Sequence, residues 1–166
     1  MGFSTLAISA ALRTNEQESG LRGHLYSLDA DKEWLENTRV KIPENLWDYV
    51  TLHYSTVTTT TVDGTLCHLY DDLPDISPNF VYLDGPDTHN VSGNVRGVGF
   101  SNERPPISAD ILLYESSAPL DFFVLVDGRW ENCRFLRRYL KGKYRNRHYR
   151  ARKSQTFEYV GEYDHA

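Results

Sequence analysis

The sequence predicts an α/β protein with a mostly parallel sheet, helices on both of its faces and an antiparallel piece at the C-terminal end. Helical and strand patterns alternate along the 166 residues, and this alternation is typical of parallel strands joined by helices. Three predicted strands also end on an acid: Asp29, Asp84 and Asp127. Because ligands bind at the carboxyl edge of open α/β sheets, we expect one acidic edge that serves a ligand.

The N-terminal half supplies helix and strand patterns in turn. A stretch rich in Ala and Leu predicts the first helix, with Ser4 or Thr5 as its cap. A β-branched run followed by Asp63-Gly64 predicts a hairpin. The elements predicted up to residue 70 are a helix at 4–13, a loop at 14–23, a strand at 25–28, a helix at 31–40 capped by Asp31, a short turn at 44–47, a strand at 49–54 and hairpin strands at 56–61 and 65–70.

The C-terminal half is organised around residues 80–84. Apolar and aromatic residues run straight into Asp84, and Gly85-Pro86 ends the run, which predicts a buried strand. Residues 88–106 predict a long loop, and loops of that length are usually functional or mobile. The other predicted elements are a helix at 108–116 capped by Ser108, a strand at 120–126, a helix at 129–140 and two antiparallel strands at 148–152 and 157–160.

Length and composition favour one domain over residues 1–166. A chain of this size buries about 70% of its unfolded surface, and the charged fraction of 25% is ordinary. No run approaches the roughly 18 apolar residues of a membrane span. Cys67 and Cys133 form neither a CxxC pair nor a disulfide framework, which indicates a reducing compartment. Residues 1–12 lack a basic leader, so we expect a cytoplasmic protein without a signal peptide.

Several of these motifs together resemble the class I S-adenosylmethionine-dependent methyltransferases. Gly2-Phe3-Ser4-Thr5 resembles the tail of that family's glycine-rich loop. Residues 25–29 resemble its second strand, 80–84 its fourth and 122–127 its fifth. The closest likeness is to small-molecule or sugar O-methyltransferases, in which an Asp-Gly pair ends the fourth strand. The resemblance implies a Rossmann-like three-layer sandwich.

The resemblance also implies a cofactor site and a departure from the family pattern. It implies that Gly2, Ser4 and Thr5 lie at the cofactor and that Asp29 accepts hydrogen bonds from the ribose hydroxyls. Read without the resemblance, Asp29 caps the following helix, as Asp often does. The family's first strand and most of its glycine-rich loop would precede Phe3, so we expect an N-terminally shortened copy that lacks this strand.

Asp84 and Asp127 are the predicted acceptor-side residues. On neighbouring strands, their carboxylates position or activate a substrate hydroxyl. Two such oxygen donors also suit Mg²⁺, although the Asn that completes the pair in metal-dependent catechol-type methyltransferases is replaced here by Gly128. The alternative is that both acids cap the segments after them. His89, close to Asp87, is a further candidate for proton transfer.

Basic residues are concentrated near the C-terminus. Residues 134–153 contain ten Lys and Arg and no acid, in a chain of net charge −5. Tyr139, Tyr144 and Tyr149 interleave with them, as stacking residues of a nucleic-acid surface would. The other two readings are solvated charges on a helix and an edge strand, and phosphate binding in a nucleotide-sugar or lipid-linked substrate. Because the chain is acidic overall, we do not expect nucleic acid as the partner.

Taken together, the sequence predicts an S-adenosylmethionine-dependent O-methyltransferase that acts on a sugar or small hydroxylated substrate. In this hypothesis Asp29 holds the cofactor ribose, Asp84 and Asp127 serve the acceptor, and residues 88–106 form a lid. The alternative hypothesis is a non-catalytic Rossmann-like remnant or interaction module that does not bind cofactor and self-associates as a homo-oligomer.

Overall fold

The computed structural model of the protein describes residues 2–161, which form a mixed α/β fold with both parallel and antiparallel strand pairs. By internal contacts they divide into two compact units, residues 2–56 with 71–74 and residues 57–70 with 75–161. The helices are α1 (Phe3–Ser19), α2 (Lys32–Arg39), α3 (Asp110–Glu115) and α4 (Trp130–Tyr139). The strands are β1 (Leu25–Asp29), β2 (Val50–Tyr54), β3 (Val57–Val62), β4 (Thr65–Tyr70), β5 (Phe80–Leu83), β6 (Val91–Ser92), β7 (Phe123–Asp127), β8 (Lys143–Tyr149) and β9 (Ser154–Gly161).

The first unit is a parallel two-stranded sheet with helices α1 and α2. β1 pairs with β2 from Leu25–Val50 to Asp29–Tyr54. Its small core consists of Ile42, Leu46 and Val50, with partly buried apolar residues around them. Asp31 caps α2 as predicted, because its Oδ1 accepts from the amides of Glu33 and Trp34.

Helix α1 is longer than the sequence predicted. We expected residues 14–23 to form a loop, but the helix continues to Ser19 and ends where Gly20 adopts a left-handed φ of 73°. Glu16, in the last turns, accepts a 2.6 Å hydrogen bond from the Tyr49 hydroxyl. This tertiary contact stabilises the last turns of α1, whose polar residues lack the apolar periodicity that would predict a helix.

The second unit contains a four-stranded sheet in the order β5-β7-β9-β8. β5 and β7 are parallel, whereas β9 is antiparallel to both of its neighbours, β7 and β8. β5, β7 and β8 therefore run in the same direction. The core around this sheet includes five side chains that are almost completely buried: Phe122, Val124, Val126, Leu136 and Phe157. The antiparallel C-terminal pair is confirmed, although its first strand begins at Lys143 rather than at residue 148.

A second sheet of the same unit has the order β4-β3-β6. The predicted hairpin is confirmed: β3 and β4 are antiparallel, and Asp63 and Gly64 turn the chain with φ values of 46° and 75°. The expected loop 88–106 contains a short 3-10 turn and β6, which pairs in parallel with β3. The Thr59 hydroxyl donates to the Ser92 carbonyl at 2.8 Å, so the start of this segment is fixed to the sheet.

The prediction that Ser108 caps the third helix is wrong. α3 begins at Asp110, and no side chain caps it. The Ser108 hydroxyl donates to Asp110 Oδ2 at 2.7 Å, and the Ser108 amide donates to Asn132 Oδ1 at 2.8 Å. Ser108 therefore belongs to a buried polar network that joins the segment before α3 to α4. Cys67 and Cys133 are buried free thiols, and none of the described helices combines the length and apolarity needed to cross a bilayer.

Candidate functional site

Asp84 and Asp127 lie at the same edge of the four-stranded sheet, as predicted. The parallel register of β5 and β7 ends with the pair Leu83–Val126, and each carboxylate residue follows directly. The two side chains therefore emerge at the carboxyl ends of adjacent strands, whose spacing is about 4.8 Å. Asp84 is exposed, and Asp127 is half-buried.

Tyr82 holds the Asp127 carboxylate. Its hydroxyl donates a 2.6 Å hydrogen bond to Asp127 Oδ2. Burial raises the pKa of the Tyr82 phenol, and the hydrogen bond and negative charge of Asp127 raise it further. Tyr82 therefore stays a neutral donor, and it leaves the remaining acceptor sites of Asp127 for another group.

Arg129 lies beside Asp84. Its Nε is 3.8 Å from Asp84 Oδ1, and its Nη2 donates to the Gly85 carbonyl at 3.0 Å. Although the Asp84 side chain is 67% exposed, the surrounding protein partly desolvates the carboxyl and raises its pKa; Arg129 opposes this rise, and the charges of Asp127 and Asp87 add to it. The edge thus presents a carboxylate with increased basicity and one fixed guanidinium, an arrangement that can accept a proton from a hydroxyl.

His89 remains a prediction as a catalytic residue. It is exposed in the 3-10 turn at residues 88–90. It makes no hydrogen bond or ion pair with another residue of the range 2–161. The structure therefore gives no contact that joins His89 to the two carboxylates.

The carboxylate pair is a poor fit for Mg²⁺. Within residues 2–161, no group of three or more His, Cys, Asp or Glu side chains is arranged to hold a metal ion. Asp84 already lies next to the Arg129 guanidinium, and Asp127 already accepts from Tyr82. Since Mg²⁺ requires near-octahedral oxygen coordination, we derive no step through a metal.

The predicted cofactor residues lie in the first unit, where the start of α1 meets β1. The Thr5 hydroxyl is 2.9 Å from the Ser27 hydroxyl, so the first helical turn is tied to β1 two residues before Asp29. Gly2 precedes the helix with a φ of 70°, and a Cβ there would lie 2.8 Å from Thr38 Oγ1. Ser4 is exposed, and Thr5 is buried.

Asp29 also has a local role at the start of α2, although the cap that we considered as its alternative role is made by Asp31. Its Oδ1 accepts a 3.0 Å hydrogen bond from the Asp31 amide at the entry to α2. The expectation of one acidic edge formed by Asp29, Asp84 and Asp127 is wrong, because β1 pairs with β2 in a separate sheet from β5 and β7. Pairing between distant segments decides which strands share a sheet, and the local sequence of each strand does not specify its partner.

Two contributors to the acidic edge were missed from the sequence. Tyr82 and Arg129 each bind a group more than 40 residues away, namely Asp127 and Gly85. The alternation of β5 could have indicated Tyr82, since it lies two residues before Asp84 and its side chain shares a face with it. No comparable signal marks Arg129, which precedes α4 by one residue.

A depression of about 420 Å³ lies elsewhere, between α1 and residues 43–46. None of the predicted site residues lines it. Comparison of the chain with protein-family models, with curated proteins and with solved structures found no match. The functional inference therefore depends on the geometry of the site residues themselves, at the ends of β5 and β7 and at the start of α1.

Proposed function

We propose that the protein is an S-adenosylmethionine-dependent O-methyltransferase with a Rossmann-like framework, acting on a sugar or another small hydroxylated substrate. The observation that carries the proposal is the hydrogen bond between Thr5 and Ser27. It brings the N-terminus of a 17-residue helix next to a strand that ends in a carboxylate, Asp29. These two features, in this order, are typical of sites for nucleoside cofactors.

The residues of the first unit fit such a cofactor. No side chain caps the first turn of α1, so its amides are available to polar groups of the cofactor. Gly2 lets the start of the helix pack closely against Thr38 of α2, since a Cβ there would lie 2.8 Å from Thr38 Oγ1. A carboxylate has about four lone-pair sites, so Asp29 can accept from the ribose hydroxyls while it accepts from Asp31. When bound, the cofactor supplies an electrophilic methyl group on its sulfonium.

The residues of the second unit fit a hydroxylated acceptor. Asp84 accepts the hydroxyl proton, and its raised pKa makes it a stronger base than an ordinary carboxylate. Arg129 places a positive charge 3.8 Å from Asp84, and Tyr82 holds Asp127 by a hydrogen bond, which leaves Asp127 acceptor sites for the substrate. In direct methyl displacement most of the catalysis comes from alignment of the reactants, and these fixed groups restrict the acceptor hydroxyl to one orientation.

An isotope-transfer assay tests the proposal. The protein is incubated with methyl-labelled S-adenosylmethionine and a panel of sugars, and labelled product is measured by mass spectrometry. We expect transfer that Asp84→Asn lowers by about 100-fold or more, the usual contribution of a general base. Asp121→Asn is the matched control. Asp121 is also an exposed carboxylate, but it lies just before β7 begins, at the opposite end of that strand from Asp127. Equal rates for the two variants would refute the role of Asp84.

One observation favours the second hypothesis, a non-catalytic interaction module. In the described part of the chain, β1 pairs only with β2, and β5 pairs only with β7. Each strand therefore has a second edge whose backbone groups can pair with another chain. Light scattering separates the hypotheses: a defined oligomer that binds no cofactor supports the module, whereas a monomer that binds cofactor excludes it.

A further inference from the structure

Four cations at the end of β8 have no carboxylate partner. Arg147, Arg150, Arg152 and Lys153, here called the basic turn, are all exposed, and none of them forms an ion pair with another residue in the range 2–161. Arg145, two residues before Arg147 on the same strand, does have a partner and pairs with Glu158 at 3.1 Å. The basic turn therefore holds a concentration of unpaired positive charge.

The sheet places the basic turn at the same edge as the two catalytic candidates. Because β8 runs in the direction of β5 and β7, its C-terminal end lies at their C-terminal edge. The register confirms this, since Asp127 pairs with Ser154 and Ser154 pairs with Tyr149. The Gly128 amide also donates to the Lys153 carbonyl at 3.1 Å. The acidic pair and the basic turn thus lie at one sheet edge: the end of β8 is two strand spacings from the end of β7, about 10 Å, and three from the end of β5, about 14 Å.

Protection of the sheet edge does not explain three of these four charges. Lys143, Arg145 and Arg147 lie on the edge strand itself, where cations discourage pairing with other chains. Arg150, Arg152 and Lys153 lie beyond the strand, in a 3-10 turn and its left-handed cap. These three cations lie outside the strand, so they do not guard its edge, and a bound anion would relieve the repulsion among them.

We propose that the basic turn binds the phosphate group of the acceptor, so that the substrate is a phosphorylated sugar or a similar compact phosphate ester. This proposal rests on the proposed function. Arginine forks match phosphate oxygens in bidentate geometry, and a span of about 10 to 14 Å from the two carboxylates to the end of β8 leaves room for a compact phosphate ester whose hydroxyl lies at Asp84 and Asp127. The nearby carboxylates and the net charge of −5 disfavour a long polyanion.

Calorimetric titration in the absence of S-adenosylmethionine tests the phosphate site. The probes are inorganic phosphate and glucose 1-phosphate, with glucose as the uncharged comparison. We expect both phosphates to bind, with the affinity falling as salt is added. Arg150→Gln/Arg152→Gln should weaken the binding by ~10-fold or more, because two charge-assisted contacts are lost. The control variant Arg134→Gln/Lys143→Gln removes the same amount of charge from exposed positions outside the turn. It should change the affinity for phosphate by less than about twofold.

Three results would overturn the proposal. The first is equal binding of phosphate by the turn variant and the control variant. The second is the absence of phosphate binding by the unmodified protein. The third is binding only to vesicles of phosphatidylcholine and phosphatidylglycerol, or only to a single-stranded oligonucleotide. Phosphate binding without any cofactor binding would refute the methyltransferase proposal but leave the phosphate site intact, so the two failures are distinguishable.

Discussion

His68 should make the protein less stable in mild acid. The residue lies on β4 and is completely buried, with the rings of Tyr70 and Phe100 at centroid distances of 6.3 and 6.1 Å. Neither ring nitrogen has a hydrogen-bond partner in the described part of the chain. Burial, with a smaller contribution from the charge of Arg129, lowers the pKa of His68 to about 3. The folded protein therefore keeps this imidazole neutral where an unfolded chain would protonate it.

The magnitude follows from proton linkage. With a pKa of about 6.5 in the unfolded chain and about 3 in the folded protein, His68 binds more protons in the unfolded state between these values. Its contribution to stability is complete above about pH 6.5 and is lost as the pH falls. Between these two pKa values, each pH unit changes the free energy of unfolding by about 1.4 kcal/mol. Between pH 7 and pH 5 the loss is therefore about 2 kcal/mol.

Urea denaturation of the unmodified protein and of His68→Leu, each at pH 7 and pH 5, measures this effect. Leu has a similar volume and removes a donor and an acceptor that lack partners, so the variant should lose little stability at pH 7. Between pH 7 and pH 5 the free energy of unfolding of the variant should fall by about 2 kcal/mol less than that of the unmodified protein. The carboxylates titrate alike in both proteins, so their contribution cancels in this comparison. The same pH dependence in both proteins would refute the assignment of a neutral buried His68.

Three further predictions concern the core, the helix start and the acidic edge. Phe157→Ala should cost about 3–5 kcal/mol in thermal denaturation, since the ring is buried, and a loss below about 1 kcal/mol would contradict the packing. Gly2→Ala should destabilise the protein by roughly 1–2 kcal/mol, because φ is positive and Thr38 is too close; unchanged stability would contradict that contact. Arg129→Gln should raise the pKa of Asp84 in a carboxyl NMR titration, because Arg129 lowers it now; a fall would contradict the pairing.

Local signals in the sequence predicted most of the elements. Asp31 was predicted to cap α2, and it does, because a short acceptor just before a helix binds the free amides of the first turn. Asp63-Gly64 predicted the hairpin, because both residues tolerate positive φ. The run into Asp84 predicted β5, because apolar residues followed by Gly85-Pro86 delimit a strand, although only Leu83 of this strand is buried. In each case a few adjacent residues carry the whole physical cause.

The features that the sequence did not predict depend on contacts between distant segments. Asp29 ends a strand just as Asp84 does, yet strand pairing puts them in different sheets. Ser108 looks like a helix cap, but a bond from its amide to Asn132 holds it in a buried network. The contact of Arg129 with Gly85 spans 44 residues. No local pattern specifies such partners, so the acidic edge could be predicted only in part.

The most direct test of the proposed function is calorimetric titration of the protein with S-adenosylhomocysteine. We predict saturable binding at one site, lost in Asp29→Ala because the acceptor of the ribose hydroxyls is removed. Asp31→Asn is the matched control: it lies two residues away and keeps an oxygen that can cap α2, so its affinity should be unchanged. No heat at millimolar ligand, or equal loss of binding in both variants, would contradict a cofactor site at Asp29.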